Sequence, residues 1–386
     1  MRAGLWLLLG ATAAGADPID VAPAGAFHHL DGSGRQSLAL SADQVALVWE
    51  DSRSGIPRCY LGLKAAAETG FREYPLGRGE CFDPVVAPLA GGRFLLAWED
   101  ESGINSAIAA TTGPGPALNL GPGAHASVAA HPASGAHIGA HIAWSAPAGR
   151  WQRVWRAPLE VAGEQPRAGT PVAADAAQPA DDQSFPALAA SEQGVLLAWE
   201  DRRHGHTVIY ASRSGQPWSP PFRVSGNPTG KAQGDLGRGT GAMRPAVATF
   251  GTRFAAAWLD KRDFLSGYDV YAALSEGKGF ARDQKAQDSF GDAIAQWHVA
   301  AAGNGRGDLV IAWDDDRDGS SDLWLTRLNG KDYSEDFTFP ETSGPLRQTD
   351  PAVALDDAGH LHLAWIERPA DSDGPTRLRY GVWPLP

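Results

Sequence analysis

A short apolar phrase that ends in Ala-Trp and runs into a charged turn recurs along this 386-residue chain. Its clearest copy occupies residues 194–203 and continues into a second apolar segment at residues 207–212. The copies place seven tryptophans 46 to 59 residues apart, at Trp49, Trp98, Trp144, Trp199, Trp258, Trp313 and Trp365. Self-similarity at this period is typical of propellers and solenoids, in which each repeat buries its sheet against the next.

Each repeat predicts four short strands. A strand of small residues comes first, often entered through proline as in 84–87 and 245–248, and the Ala-Trp strand follows it. Small side chains suit the innermost strand, because blades converge towards the axis. Residues 17–386 are therefore expected to form an all-β, seven-bladed β-propeller of four-stranded antiparallel blades. The last repeat ends after its third strand (377–383), so we expect residues 18–22 to supply the missing strand and close the ring.

The N-terminus predicts export. Residues 1–16 have the features of a cleavable signal peptide: Arg2, an apolar run at 5–9 and an Ala-x-Ala site ending at Ala16. The run is too short to span a membrane, so no membrane insertion is expected. We predict a periplasmic or secreted monomer.

Two cysteines and the net charge add further limits. In an oxidising compartment Cys59 and Cys81 could form a disulfide, the alternative being two separate buried thiols. The formal charge of −12 argues against nucleic acid and anionic membranes as partners, because both require a basic surface. A glycan or a protein remains compatible with this charge.

The repeated Trp-x-Asp-x-Arg turn, followed by an apolar third strand, resembles the sialidase-like (BNR-repeat) propellers. Residues 212–219 are weakly similar to the Asp-box turn of these propellers. Sialidases use an arginine triad and a tyrosine nucleophile. The resemblance implies that Arg35, Arg244 and Arg347 are the candidates for the triad in this chain. No tyrosine precedes an inner strand, and the ring has seven units where a sialidase has six. The chain is therefore expected to be a non-sialidase member, with the Asp-x-Arg turns as construction elements.

The turns between second and third strands and the entries to the inner strands should share one face of the disc. The residues expected at the channel mouth on that face are Arg35, Asp83, His125, Asp182, Ser184, Arg244, His298, Arg347 and Asp350. A concave mouth with converging polar groups is the usual place for a ligand. The alternative is that these residues only solvate a channel rim.

Three kinds of chemistry stay open at this mouth. A glycoside hydrolase needs two carboxyl groups, and Asp83, Asp182 and Asp350 are the candidates. Calcium is suggested by an acidic loop whose surplus oxygens come from Asp314, Asp316, Asp318 and Asp322 around a glycine turn. A redox metal or zinc is the third possibility, because the chain has eleven histidines, among them the pairs His137/His141 and His360/His362 and the top-face candidates His28, His29, His125, His204, His206 and His298.

The interpretation that these observations favour is an exported propeller that binds a glycan or protein ligand at the channel mouth. A glycoside hydrolase that uses mouth carboxylates is the alternative, followed by a calcium- or redox-metal-dependent enzyme. Repetition of the turn in several blades fits construction better than catalysis, because a catalytic residue is needed once.

Overall fold

The computed structural model describes residues 17–132, 139–226, 241–262 and 267–386. These residues form seven antiparallel sheets. Six are built from strands that follow one another along the chain, and the seventh combines the last three strands with the N-terminal one. The predicted all-β, seven-bladed propeller is confirmed. The predicted signal peptide and His137 lie outside the described residues. None of the helices in the described ranges is long and apolar enough to cross a membrane.

The blades share one plan of inner, second, third and outer strands. The inner strands are His28–His29 with Leu38–Ser41, Cys81–Leu89, Ala124–Ala130, Gln183–Ser191, Ala242–Phe250, Trp297–Gly303 and Leu346–Leu355. The second strands are Gln44–Asp51, Arg93–Asp100, Gly139–Ala148, Gly194–Asp201, Arg253–Asp260, Leu309–Asp315 and His360–Pro369. The third strands are Arg58–Ala65, Gly103–Ala110, Trp151–Glu160, Val208–Arg213, Asp269–Glu276, Asp322–Asn329 and Arg377–Pro384.

The outer strands are shorter and less regular. They are Arg72–Leu76, Gly113–Pro114 with Leu118–Gly121, Arg167–Ala168 with Val172–Ala173, Phe222–Arg223, Gly279–Phe280 with Gln284–Lys285, Asp332–Tyr333 and, in blade 7, Ile19–Asp20. Three single-turn 3-10 helices lie in connections, at Ser33–Arg35, Ser289–Gly291 and Pro340–Thr342. The N-terminal strand closes the ring as expected, with Ile19 opposite Tyr380 and Asp20 opposite Arg379.

The core lies between neighbouring blades. All seven anchoring tryptophans are on second strands, and each is at most 4% exposed. They pack with Leu, Val, Ile and Ala side chains of the next sheet, in clusters that each draw on two blades. Burying apolar surface of this kind stabilises a fold by roughly 25 cal/mol per Å².

The charged turn is a closed hydrogen-bonding unit, seen in full in blade 4. Asp201 accepts hydrogen bonds from the Trp199 indole (3.2 Å), from the Arg203 backbone N–H (3.0 Å) and from the Arg203 guanidinium (2.6 Å). The guanidinium also lies 4.3 Å from the centre of the Tyr210 ring. The same set of partners recurs at Trp49–Asp51–Arg53–Tyr60, Trp258–Asp260–Arg262–Tyr271 and Trp313–Asp315–Arg317–Trp324. We call these four sets the turn clusters.

The arginine of a turn cluster also binds a second carboxylate. In blade 4 this is Asp175 of the preceding blade, at 2.7 Å. The other three arginines pair within their own blade, with Glu73, Asp283 and Asp336. The aspartate and the arginine of a turn cluster therefore have partners within the propeller, either in their own blade or, for Arg203, in the preceding blade.

The two cysteines form the predicted disulfide. Cys59 lies on the third strand of blade 1 and Cys81 begins the inner strand of blade 2, with their Cα atoms 5.4 Å apart. The bond therefore joins two neighbouring blades.

Candidate functional site

In every blade, one residue at the entry to the inner strand has a left-handed backbone. These seven residues have φ between 48° and 58° and are Arg35, Asp83, His125, Phe185, Arg244, His298 and Asp350. In blades 2 to 7 the register of the inner strand shifts against the second strand at this residue, as in a β-bulge. We call these residues the mouth ring. A non-glycine residue in this conformation costs about 1–3 kcal/mol, and such strain concentrates at functional sites.

A carboxylate from the preceding blade stabilises the strained backbone at four positions. The acceptor and donor pairs are Glu50 with the Asp83 N–H (2.6 Å), Glu99 with His125 (3.1 Å), Glu200 with Arg244 (2.6 Å) and Asp314 with Asp350 (3.1 Å). Each acceptor directly follows an anchoring tryptophan in the sequence. Because the backbone is held in this way, the side chains of the mouth ring remain available for other contacts.

Blade 1 departs from this plan and closes the channel. Residues 30–37 leave the edge of the sheet between its two inner-strand segments and cross the central channel. The Ser33 hydroxyl donates to the Pro186 carbonyl at 2.6 Å, and the Gln36 amide donates to the carbonyls of Val128 and Leu188. A Cβ on Gly32 would lie 2.6 Å from the Pro84 carbonyl oxygen, so only glycine fits there. We call residues 32–36 the plug; a cavity of about 220 Å³ in the channel lies against it.

One half of the mouth ring is ion-paired. The Arg35 guanidinium lies 3.1 Å from Asp350 and donates to the Leu30 carbonyl at 2.7 Å. His298 Nδ1 bonds to the Asp314 carboxylate at 2.7 Å, and its Nε2 lies 3.6 Å from Asp350. Asp350 is therefore held between two cationic groups and remains 19% exposed at its side chain.

The other half of the mouth ring is stacked. The Phe185 ring centre lies 3.9 Å from that of His125, and the Arg244 guanidinium carbon lies 3.7 Å from the Phe185 ring centre. His125 Nε2 lies 4.0 Å from the Asp83 carboxylate. Residues from blades 2 to 5 thus form a continuous wall with aromatic, cationic and acidic members.

The pKa values of the two mouth-ring aspartates are shifted in opposite directions. Burial, with the nearby charges of Glu99 and Asp31, raises the pKa of Asp83 to about 7. Burial opposes ionisation of Asp350 as well, but His298 and Arg35 hold its pKa below the ordinary value. Burial also lowers the pKa of His125 to about 4, whereas Asp314 and Asp350 outweigh burial and raise the pKa of His298. Near neutral pH, a large fraction of Asp83 is protonated, whereas Asp350 is ionised.

The structure brings together six of the nine residues expected at the mouth, namely Arg35, Asp83, His125, Arg244, His298 and Asp350. The other three lie outside the ring. Asp182 accepts from the Gln152 N–H in the turn of blade 3, Ser184 pairs with Glu200 at the sheet edge, and Arg347 lies 3.8 Å from Asp373. Because Arg35 is committed to Asp350 and Arg347 lies outside the ring, an arginine triad does not form.

Two kinds of site residue escaped the sequence reasoning. Phe185 stands directly before Pro186, as Asp83 stands before Pro84, so the sequence marks its position, although an aromatic side chain there gives no polar signal. The supporting carboxylates Glu50, Glu99 and Glu200 lie within the repeated Trp-x-Asp phrase, where the repeat does not distinguish them. Their signal is that they follow some anchoring tryptophans and not others, because Ser145, Leu259 and Ile366 occupy the same position elsewhere.

The expected metal ligands do not converge. Within the described ranges, one group of three potential ligands lies close together, Asp31, His298 and Asp350. The Arg35 guanidinium lies 3.4 Å from Asp31 and 3.1 Å from Asp350, so a cationic group already occupies this place. The acidic-loop residues Asp314, Asp316, Asp318 and Asp322 form no such group: Asp314 faces His298, and Asp322 accepts the Gly344 N–H.

Several of the remaining histidines bond to partners within their own parts of the propeller, and His360 and His362 both lie within 4 Å of the Asp356 carboxylate. His362 bonds to the Tyr380 hydroxyl at 2.6 Å, and His360 bonds to Asp356 at 2.8 Å. The His141 ring packs against the Trp218 ring. His28 bonds to Thr376 and His204 to Tyr210, away from one another.

Neither any protein-family model nor any curated protein sequence matches the chain. Its fold, however, is similar to several solved structures. A protein of unknown function from Dyadobacter fermentans matches with a TM-score of 0.58 and 9% identity, over 97% of this chain and 99% of that one. An α-L-arabinofuranosidase from Fusarium graminearum, solved with an iminosugar inhibitor, matches with a TM-score of 0.54 and 10% identity, over 96% and 98%. An α-L-arabinanase from Penicillium chrysogenum, solved with arabinobiose, matches with a TM-score of 0.50 and 10% identity, over 95% and 98%. At these identities the likeness concerns the fold: this chain is built on the same propeller architecture as known glycosidases.

Proposed function

We propose that the mouth ring is the active centre of a glycoside hydrolase, with Asp83 as general acid and Asp350 as the ionised partner. The observation that carries the proposal is the different surroundings of these two aspartates within one mouth: Arg35 and His298 flank Asp350, whereas Asp83 has His125 Nε2 at 4.0 Å and a setting in which burial raises its pKa to about 7. Glycoside hydrolysis requires one protonated and one ionised carboxyl group on either side of the bond that breaks. Environments that push two pKa values apart are the usual means of assigning these two roles.

Asp83 suits the acid role because its side chain is 18% exposed, whereas the carboxyls beneath the ring are buried. Burial also raises the pKa of Glu50 to about 8 and that of Glu200 to about 7. Both residues, however, are less than a tenth exposed and already accept a backbone N–H. Asp83 can reach a substrate, and they cannot. In the reaction its proton passes to the glycosidic oxygen as the C–O bond breaks.

Asp350 suits the second role because it remains charged and is positioned from two sides. Arg35 and His298 stabilise its charge, and Asp314 binds both the His298 ring and the Asp350 backbone. Asp314 and His298 are therefore positioning residues. The charge of Asp350 stabilises the cationic sugar of the transition state directly or through an attacking water. Phe185 and Arg244 complete the opposite wall and offer an apolar edge and hydrogen-bond donors to a sugar.

Glycans that contain arabinofuranose are the first substrates to test, because two proteins of similar fold carry that activity in their names. The Cys59–Cys81 disulfide is compatible with a protein that acts outside the cytoplasm. A binding module with the same mouth remains the competing interpretation, and the two differ in whether the ligand is cleaved.

The test measures release of reducing sugar by the purified protein from arabinan, xylan, galactan and a set of aryl glycosides. We expect cleavage of at least one of them, and about 10²–10⁴-fold slower cleavage by Asp83→Asn or Asp350→Asn. Asp182→Asn is the matched control, since this surface aspartate lies off the ring and should leave the rate unchanged. Bound but uncleaved glycan would show a binding module instead, and equal losses in all three variants would contradict the assignment of roles.

A further inference from the structure

The position directly before each mouth-ring residue is filled differently in blade 6. In the other blades it holds Gly34, Phe82, Ala124, Ser184, Met243 and Thr349, none of them an exposed large apolar side chain. In blade 6 it holds Trp297, which is 44% exposed and directly precedes His298. The other six blades therefore fold without a tryptophan at this position. A single exposed apolar residue is ordinary on a protein surface, so it is the position of this indole, directly beside a mouth-ring residue, that distinguishes it.

The exposed indole rests on a supported base. The ring centres of Trp297 and Tyr268 lie 5.4 Å apart with an interplanar angle of 60°. Tyr268 in turn packs against the apolar core between blades 5 and 6, and its carbonyl accepts the Gln296 N–H at 2.8 Å. The Lys261 ammonium lies 5.2 Å from the Tyr268 ring centre on the same side of the molecule. The two rings therefore form a fixed platform rather than a loose side chain.

This platform offers what a sugar ring binds. The face of an aromatic ring carries negative charge density and is apolar, which suits the polarised C–H groups on one face of a sugar. The other aromatic ring of the mouth, Phe185, is contacted from both flanking blades, by His125 and by Arg244. Trp297 directly precedes a mouth-ring residue and keeps a large free surface, whereas the more exposed Phe290 lies farther back in the same connection, in the 3-10 helix Ser289–Gly291.

We infer that Trp297, supported by Tyr268, is a stacking subsite for a sugar unit adjacent to the one held in the mouth ring, so that a glycan chain lies across blades 5 and 6. The inference rests on the proposed function only in taking the ligand to be a glycan. It makes chain length a determinant of affinity and gives the chain one direction across the face. A sugar unit in the mouth ring alone would not contact this platform.

The experiment measures binding by calorimetry, using the Asp83→Asn protein so that no ligand is cleaved. The probes are linear arabino-, xylo- and galacto-oligosaccharides of one to six units. We expect affinity to rise with chain length for one series of ligands. Trp297→Ala should weaken binding of the longer ligands by about five- to tenfold and leave binding of the shortest ligand unaffected. Trp297→Phe should retain most of the gain. Phe27→Ala is the matched control, since Phe27 is 40% exposed beside the turn of blade 1.

Each outcome separates the two proposals. Chain-length dependence that survives Trp297→Ala, or the absence of binding by every probe, overturns the stacking subsite. Binding that depends on Trp297 without any cleavage by the wild-type protein supports the subsite and overturns the hydrolase. Cleavage of aryl glycosides, combined with no effect of Trp297→Ala on the binding of longer ligands, supports the hydrolase and overturns the subsite.

Discussion

The turn clusters and the mouth ring are both repeated around the propeller, but they repeat different things. The turn clusters repeat residues: tryptophan, aspartate, arginine and an aromatic ring return in blades 1, 4, 5 and 6. The mouth ring repeats only a backbone conformation, and its side chains change from blade to blade. The turn clusters repeat the same bonded residue types, whereas the mouth ring repeats a backbone that presents a different side chain in most blades.

The physical difference lies in where the hydrogen bonds close. In a turn cluster the aspartate and arginine bind each other, and the arginine binds a second carboxylate of its own or, in blade 4, of the preceding blade, so these groups already have partners within the propeller. At the mouth ring, the carboxylate beneath binds the backbone, and the side chain above it is left to its neighbours and to solvent. The predictions below test whether function and stability separate along this line.

The largest expected effect belongs to the mouth ring and appears in the pH dependence of cleavage. Asp83 must be protonated to act, and its raised pKa of about 7 means that the acid form is lost as pH rises above 7. Asp350, with a lowered pKa, stays ionised throughout this range. We expect kcat/KM to fall roughly 50-fold between pH 7 and 9, approaching a tenfold fall per pH unit, because only the protonated fraction reacts.

The residual activity of Asp83→Asn is the control for this profile, since that variant has no proton to lose at position 83. Its much lower rate should be flat over the same pH range. A wild-type profile that stays flat above pH 7, or a variant profile that still falls, would assign the acid role to another group.

The next effect belongs to a turn cluster and should appear in stability alone. Asp201 is 1% exposed and accepts from Trp199, Arg203 and Gln183, so Asp201→Ala leaves the buried Trp199 indole and Gln183 amide without this acceptor, while the partly exposed Arg203 guanidinium keeps Asp175. We expect the free energy of unfolding to fall by about 3 kcal/mol. Activity per folded molecule should be unchanged, which denaturant unfolding and an active-site titration together would check.

Asp100→Ala in blade 2 is the matched control. Asp100 occupies the same position, but Ser102 replaces the arginine and the carboxylate is more exposed. We expect a smaller cost there, about 1–2 kcal/mol, since Asp100 accepts only from uncharged donors, the Trp98 indole, the Ser102 N–H and hydroxyl and the Arg78 N–H. Equal losses at the two positions would mean that the arginine contributes nothing to the cluster.

The contrast between the turn clusters and the mouth ring also shows which features can be predicted from the sequence. The repeated tryptophans predict seven blades, and the truncated last repeat predicts closure by Ile19 and Asp20, because both follow from burial and strand pairing. The entries to the inner strands locate Asp83, His298 and Asp350. The plug of blade 1 and the stacking of Phe185 on Arg244 depend on contacts between residues distant in sequence, which no local pattern records.

The disulfide connects the periphery to the mouth ring, so its removal tests how far the two are coupled. Cys81 lies two residues before Asp83, and its partner is 22 residues away in sequence. In the chain-entropy picture a loop of this size stabilises the fold by about 3 kcal/mol. The double change Cys59→Ala and Cys81→Ala should lower the free energy of unfolding by about that amount and leave kcat/KM within twofold. A much larger loss of activity would show that the bond also positions Asp83.

The smallest effect concerns a carboxylate beneath the ring, where stability and function meet. Burial raises the pKa of Glu50 from the ordinary 4.5 to about 8, so the folded state holds a proton that the unfolded chain releases. The stability that this proton provides is complete below pH 4.5 and is lost progressively as pH rises to about 8. Glu50→Gln keeps an oxygen for the Asp83 N–H but cannot ionise. The variant should match the wild type at pH 5 and exceed it by about 1 kcal/mol or more at pH 9, as measured by urea unfolding. The exposed Glu276→Gln serves as control and should show no such difference between the two pH values. If Glu50→Gln is instead less stable at pH 9, Glu50 is ionised in the fold, and the mouth ring rests on charged rather than neutral supports.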